Sequence, residues 1–334
     1  MNIRVLKPGM LTTLQDSGRN GYQHYGLPVS GVMDLFSHRV ANILVGNPGD
    51  EATLEVTLQG PRLEFAHDTL IAICGGDLSP AIGGAEVPEG KAVRVRAGSV
   101  LQFGDCRAGC RAYLAVRGGF DVPPVMGSRS TYETAQLGGM NGRALRKDDV
   151  LRIGASEGHL YPGLEAELAL TGRAFASPRW AVNQHIEKLG RTPQLVRIIR
   201  GRHWEAFPAA ARDVLTGTEF GIAADSNRMG FRLAGEVIDP GKPMEILSEA
   251  VTFGTIQVPP GGKPIVLMAD RQTMGGYPKI AEVASVDLHL LAQLKPGDRL
   301  RFKLISLARG HALWLARERE ITTIREAVER HFTQ

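Results

Sequence analysis

The chain has 334 residues, with 39 lysines and arginines against 35 aspartates and glutamates, a formal net charge of +4. That mild excess is interleaved in sign and contains no basic tract, which argues against a nucleic-acid partner, and the length favours two domains, each with its own core. Forty glycines and nineteen prolines separate short Val, Ile and Leu runs, so many short strands and turns are expected rather than a helical bundle.

In chain order, residues 1–18 lack the continuous apolar stretch of a signal peptide, and no later run is long enough to cross a bilayer. A cytoplasmic protein without a membrane span is therefore expected. The loop LQDSGRNGY at 14–22 holds Asp16 and Arg19, which can pair with each other or bind a polar ligand, although an Asp in such a turn commonly bonds its own backbone. In the next segment the Ser30-Gly31 turn can present backbone N–H groups to an anion. Asp34 is placed to cap a helix carrying Leu35, Phe36, Val40, Ile43 and Leu44, which stops near Gly46. Cys74, Cys106 and Cys110 cannot form a fully paired disulfide set, and no nearby ligands complete a metal site around Cys106 and Cys110. The stretch 117–132 is rich in turn residues and hydroxyls; its Arg129 can hold a substrate carboxylate or bind loop carbonyls.

Residues 158–181 show no steady period, so the domain boundary is placed loosely between 170 and 195. This divides the chain into 1–185, 190–310 and a C-terminal helix over 311–334. The most chemically dense segment is 265–279. An apolar strand, Ile265 to Ala269, runs into Asp270, Arg271, Gln272, Thr273, Tyr277 and Lys279 around the Gly275-Gly276 hinge. Lys279 can act as a base only where desolvation lowers its pKa. Ser285 is placed to cap a helix bearing Val286, Leu288, Leu291 and Leu294, ended by Pro296-Gly297. The last helix, about 311–332, has Leu313, Ile321, Ile324 and Val328 on one face, which should dock on its own core or on a partner.

The chain also repeats itself. Asp16-Ser-Gly-Arg-Asn-Gly-Tyr22 matches Asp225-Ser-Asn-Arg-Met-Gly-Phe231, 209 residues further on, and residues 97–103 match 296–302 in the same order. A weaker pair is 71–77 with 266–270. Two similar β-rich domains follow from this reading, and a single long period excludes a repeat array. Several common machines are missing: no GxxxxGK[ST] phosphate loop, GxSxG, HExxH or GxGxxG occurs, and no Met-Lys dipeptide could carry covalent biotin.

The segments LQDSGRNGYQHYGLPVSGVMD at 14–34, NILVGNPGDEATLE at 42–55, RAYLAVRGGFDVPPVMGSRSTY at 111–132 and SEAVTFGTIQVPPGGKPIVLMADRQTMGGYPKIAEV at 248–283 resemble the biotin-dependent carboxyltransferase-like family. That family includes the C-type subunit of 5-oxoprolinase, KipA and allophanate hydrolase subunit 2, and the resemblance spans about residues 1–305. It implies a mainly β fold of two cyclophilin-like β-barrel domains with few short helices. It further implies two 5-oxoprolinase partners, a B-type subunit of the KipI kind and an A-type subunit. Together they would form an ATP-dependent enzyme that opens 5-oxoproline, a small cyclic amide, to L-glutamate. In that reading Asp270, Lys279 and Asp16 are the candidate catalytic residues. Arg19, Arg129, Arg271, Gln272, Thr273 and Tyr277 are the candidate substrate-binding residues. ATP serves the complex, without a site assignable on this chain. Two alternatives accompany it: a KipA-like regulator that binds a KipI-type kinase inhibitor, and a carboxyltransferase component acting on urea or another amide. Met274 stands where the family pattern leads one to expect a second hydroxyl, and Ala250 where glycine is common.

Overall fold

The computed structural model describes residues 2–156, 158, 160–184, 193–242, 244 and 246–333. The chain forms two compact units: residues 1–18, 34–187 and 319–334 make the first, and residues 19–33 with 188–318 make the second. The boundary expected between 185 and 190 lies outside the described residues. The protein is mainly β, with five α-helices among the described residues. None of them is long and apolar enough to cross a membrane.

The first unit contains two six-stranded sheets. One runs 150–152, 2–7, 62–65, 100–102, 81–82, 85–86, and the other 175–176, 92–95, 69–77, 108–116, 53–57, 11–15. All their pairings are antiparallel. Side chains alternate between the faces of a strand, and strand Thr69–Asp77 uses both. Ile71 and Ile73 join the core with Ile3, Val5, Phe65 and Leu101. Leu70, Ala72 and Cys74 face a second core with Val40, Ala41 and Leu44 of helix α1 (Leu35–Leu44). A strand buried on both faces reads as an unbroken apolar run, as this one does.

Asp34 caps α1 as expected: its carboxylate accepts the Ser37 N–H at 2.9 Å and the Ser37 hydroxyl at 2.7 Å. Helix α2 (Pro162–Thr171) occupies the stretch that shows no period. It buries only Leu164 and Leu168, so it has no stripe to display. Its start is defined by Pro162 in the first turn after Tyr161 in the left-handed conformation. The Tyr161 hydroxyl is anchored on the Leu44 carbonyl at 3.0 Å.

The second unit closes seven strands into a barrel in the order 194–200, 279–283, 255–257, 265–267, 230–234, 219–222, 299–304. The closing pair, 194–200 with 299–304, is parallel. Phe220, Phe302, Val196, Ile198, Ile256, Val266 and Ile280 fill its interior, and helix α3 (Ala209–Gly217) adds Ala211 and Leu215. Ser285 does not cap an α-helix. Residues 285–287 form a 3₁₀ turn leading into α4 (Leu288–Ala292), and the carboxylate of Asp287 is turned onto the backbone and guanidinium of Arg197. Helix α5 (Leu307–Glu329) begins four residues before the expected start.

Buried His38 and half-buried Glu89 contribute opposite pH responses to the first unit. His38 is fully buried with Nδ1 2.9 Å from the Thr53 hydroxyl. Burial lowers its pKa to about 4 despite the nearby Asp16 and Asp34 carboxylates. Glu89 is pushed up to about 8, chiefly by burial and then by Asp77. A lowered imidazole favours the fold above its ordinary value of 6.5 and disfavours it as pH falls from there towards 4. A raised carboxyl favours the fold below its ordinary value of 4.5 and loses that contribution as pH rises through 8. Glu89→Gln should therefore flatten the decline in urea midpoint between about pH 5 and about pH 8. An equal decline in both proteins would refute the assignment.

Candidate functional site

In the first unit the site residues gather on Asp16. It follows strand Leu11–Gln15 and is 7% exposed, and its carboxylate takes four donors. Oδ1 accepts the Gly18 N–H at 2.9 Å, the Ser128 hydroxyl at 2.6 Å and the Ser130 hydroxyl at 2.5 Å, and Oδ2 accepts the Arg129 N–H at 2.5 Å. The Ser130 hydroxyl also accepts the Asp16 N–H at 3.0 Å. The carboxylate thus ties the 128–131 turn to the end of a strand, and both hydroxyls are held in fixed orientation beside it. The Arg129 guanidinium donates to the Val122 carbonyl at 3.1 Å and lies 3.7 Å from Glu51.

The second unit builds two clusters. In one, Asp270 receives Arg228 at 2.8 Å and 3.1 Å, a fork that fixes both carboxylate oxygens. The Ser30 hydroxyl donates to the same carboxylate. Arg228 also donates to the Gly31 carbonyl at 2.5 Å. The Ser30-Gly31 turn is therefore held by a side-chain hydroxyl and a carbonyl as well as by its own geometry; Ser30 has φ 57° and Gly31 φ 84°. Arg19 belongs to this unit, 1% exposed, with its N–H on the Val29 carbonyl at 2.6 Å.

The other cluster centres on Lys279, whose side chain is 5% exposed. Its amine donates to Glu249 at 2.8 Å, and Arg202 lies 3.5 Å from the same carboxylate. The hydrogen bond from Lys279, then burial opposing it, leaves the Glu249 pKa below the ordinary carboxylate value. The Lys279 N–H donates to His203 Nδ1 at 3.1 Å, which puts the proton of the neutral ring on Nε2. Burial lowers the His203 pKa against the opposing Glu249 carboxylate, with the Lys279 and Arg202 charges adding to the lowering, which favours the neutral ring. An ammonium, a carboxylate and a neutral imidazole donor in one place can stabilise developing negative charge and move a proton.

The residues between these clusters play different parts. Arg271 points to the carbonyls of Val251, Met268 and Ala269 at 3.4–3.5 Å. Gln272 is exposed, and the Thr273 carbonyl accepts the Val251 N–H at 3.1 Å. Tyr277 is 45% exposed and lines a cavity of about 460 Å³ with Asp239, Lys242, Met244 and Pro278. A Cβ at Gly275 would sit 2.5 Å from the Gln257 amide nitrogen, so a larger residue there would have to displace that side chain. The two departures from the family pattern turn out to be cross-strand partners: Ala250 pairs with Met274 in a ribbon of two residue pairs, and both are exposed. A change at one position meets the change at the other.

Glu249, His203 and Arg228 did not stand out in the sequence as site residues. Arg228 is the arginine of the second DSxRxG repeat, and Glu249 lies in SEAVTFG, so both had a signal. His203 had none. The repeated aspartates differ in role, since Asp225 is largely exposed and pairs with Arg232 at 3.0 Å, whereas Asp16 is a buried hub.

The family described as carboxyltransferase domain, subdomain A and B, matches residues 25–304. The chain belongs to this family. It is similar to the C-type subunit of 5-oxoprolinase from Escherichia coli (strain K12), 35% identical over 91% of this chain and 92% of that protein. It is also similar to the same subunit from Haemophilus influenzae, 33% identical over 98% of this chain and 99% of that one. Among solved structures, the Kluyveromyces lactis urea carboxylase superposes with a TM-score of 0.83 at 30% identity, covering 98% of this chain and 29% of that chain. This carboxyltransferase-family chain thus spans nearly the full length of the two 5-oxoprolinase relatives and under a third of the urea carboxylase.

Removing Asp270 leaves the Arg228 guanidinium buried without its carboxylate. Asp270→Ala should lower unfolding stability by about 3–5 kcal/mol, the usual result of breaking a buried pair from one side. A loss under about 1 kcal/mol in urea titration would show that the pair does not hold the turn.

Proposed function

We propose that this chain is the C-type subunit of an ATP-dependent 5-oxoprolinase, working with A-type and B-type subunits to open 5-oxoproline to L-glutamate. The observation that carries the reading is 35% identity, over nearly the full length of both chains, with a relative named as that subunit of 5-oxoprolinase. The buried Lys279 cluster supports it, because opening a lactam requires charge stabilisation at the amide oxygen and a proton for the departing nitrogen.

In this proposal ATP is a substrate of the assembled enzyme and transfers its terminal phosphoryl group to the lactam oxygen, releasing ADP. One water adds to the ring carbon, the C–N bond breaks with a proton to the nitrogen, and a second water cleaves the resulting acyl phosphate to glutamate and phosphate. Lys279, its amine oriented by Glu249 and its backbone N–H held by His203, stabilises the developing charge and supplies the proton. Asp270 and Asp16 act by holding the turns at 30–31 and 128–131. Tyr277 lines a cavity two residues along the chain from Lys279, with Gln272 and Thr273 on the segment leading to it. Arg19 and Arg271 add polar groups to the second unit and Arg129 to the Asp16 turn of the first, Arg129 and Arg271 with part of their donors on backbone carbonyls. The chain has no activity alone, and the complex works in the cytoplasm.

A second reading, carboxyl transfer to urea or another amide, is supported by the urea carboxylase superposition. It requires turnover that depends on a separate biotinylated carrier. The first reading expects ATP hydrolysis stimulated by 5-oxoproline, with glutamate formed, only when all three subunits are present. Lys279→Met should assemble normally and lose about 10²–10⁴ in kcat. Full turnover without this chain, or with Lys279→Met, would overturn the reading or the residue assignment respectively.

A further inference from the structure

The turn that follows strand 194–200 is pinned to the start of strand 279–283. The Gly201 N–H donates to the Ile280 carbonyl at 3.0 Å and the His203 N–H to the Lys279 carbonyl at 3.0 Å, while the Lys279 N–H returns to His203 Nδ1 at 3.1 Å. Gly201 permits this approach: a Cβ there would lie 2.5 Å from the Lys279 carbonyl oxygen and 2.7 Å from the Ala281 nitrogen, both backbone atoms. Arg202 stands between these two anchored residues, so its backbone is fixed although its side chain is 73% exposed.

Lys279 and Arg202 approach different oxygens of one carboxylate. The Lys279 amine meets Oε2 of Glu249 at 2.8 Å, and Nε of Arg202 lies 3.5 Å from Oε1, beyond ordinary hydrogen-bond length. Among the described residues Arg202 has no partner besides Glu249. The charges felt by His203 are Glu249 on one side and Lys279 and Arg202 on the other, two cations against one carboxylate. Glu282, which also feels Lys279, has its carboxylate on the Thr252 and Thr255 hydroxyls at 3.0 Å and 2.8 Å, and burial pushes its pKa up. The cluster therefore keeps an excess of positive charge. It is graded in exposure as well, with the Lys279, Glu249 and Arg202 side chains 5%, 27% and 73% exposed, so it opens to solvent on the Arg202 side. Arg200, two residues earlier, is committed elsewhere: it pairs with Glu205 at 3.0 Å and lies 5.8 Å over the Trp204 ring.

We propose that Arg202 is the clamp for the carboxylate of the substrate, the residue that makes this site select an anionic lactam over a neutral one. The identity of that lactam as 5-oxoproline rests on the functional reading above. Its carboxylate is separated from the lactam nitrogen by a single carbon, so a ring whose amide reaches Lys279 carries its carboxylate into the same cluster. A guanidinium presents a planar fork of donors that matches a carboxylate, and the positive excess favours an anion there. Arg129 and Arg271 direct donors to backbone carbonyls, which leaves Arg202 as the cation of the Lys279 cluster that faces solvent. The terminal phosphate of ATP offers the same anionic oxygens, and kinetics separate the two sources.

The test uses the full chain assembled with its A-type and B-type subunits, wild type against Arg202→Gln and Arg202→Lys, with ADP release as the readout. The position is exposed, and unchanged melting midpoints would show that the variants fold. Arg202→Gln should raise the KM for 5-oxoproline at least about tenfold, with smaller changes in kcat and in the KM for ATP. The wild-type complex should prefer 5-oxoproline to its neutral carboxamide, and Arg202→Gln should lose most of that preference, which a merely structural role would leave in place. Arg202→Lys should fall between the two, since it keeps the charge without the fork. An unchanged KM and an unchanged preference, with 5-oxoproline turnover intact, would overturn the clamp and leave the functional reading standing. A rise confined to the KM for ATP would give Arg202 to phosphate instead. Loss of the preference in Lys242→Gln but not in Arg202→Gln would move the carboxylate to the cavity beside Tyr277. No 5-oxoproline-dependent hydrolysis by the wild-type complex would overturn both the clamp and the reading.

Discussion

A carboxylate taken out of water must be met by donors, and this protein uses that requirement to hold its loops. Asp16, Asp34, Asp270 and Asp287 are all at least nine-tenths buried, and each accepts from a backbone or side chain on another turn of the chain. Left unpaired, each would cost several kcal/mol or become protonated. The consequence is that turns rich in glycine and serine, intrinsically permissive, acquire single conformations. Asp16 orders 128–131, Asp270 with Arg228 orders 30–31, and Asp287 receives the backbone and side chain of Arg197 at the edge of the barrel.

This arrangement separates two tasks that acidic residues perform in polar sites. Asp16 and Asp270 are saturated with hydrogen bonds, which suits them to positioning. The Lys279 cluster differs: Glu249 is only partly covered, His203 retains a ring N–H, and the amine lies between strand and ribbon. Rigid strands hold the amine while a ribbon of only two residue pairs carries its carboxylate partner, so the pair joins a fixed element to a small one. The exposed Met274 and Ala250 sit on that ribbon, next to Glu249 and Gly275.

Much of the fold was legible because it depends on local rules. The Asp34 cap, the end of α1 near Gly46 and the doubly buried strand at 69–77 each follow from a pattern contained within a few residues. Elements without such a pattern were hidden. Helix α2 has two buried side chains and no stripe, and α4 starts late because the Asp287 side chain is drawn to an arginine ninety positions away. The first turns of α5 read as one face of a longer amphipathic helix, yet only the later turns reach a core.

By itself the sequence determined the β-rich class, the family and the segments that carry polar chemistry, because strand alternation, glycine hinges and the long block at 248–283 are properties of neighbouring residues. Tertiary structure decided what each polar group does. Arg228 finds Asp270 across forty-two positions, and His203 and Glu249 meet Lys279 from different strands and loops. Hydrogen bonds and ion pairs act over a few ångströms in space whatever the separation along the chain, so partners are chosen by topology, and only the folded barrel brings them together.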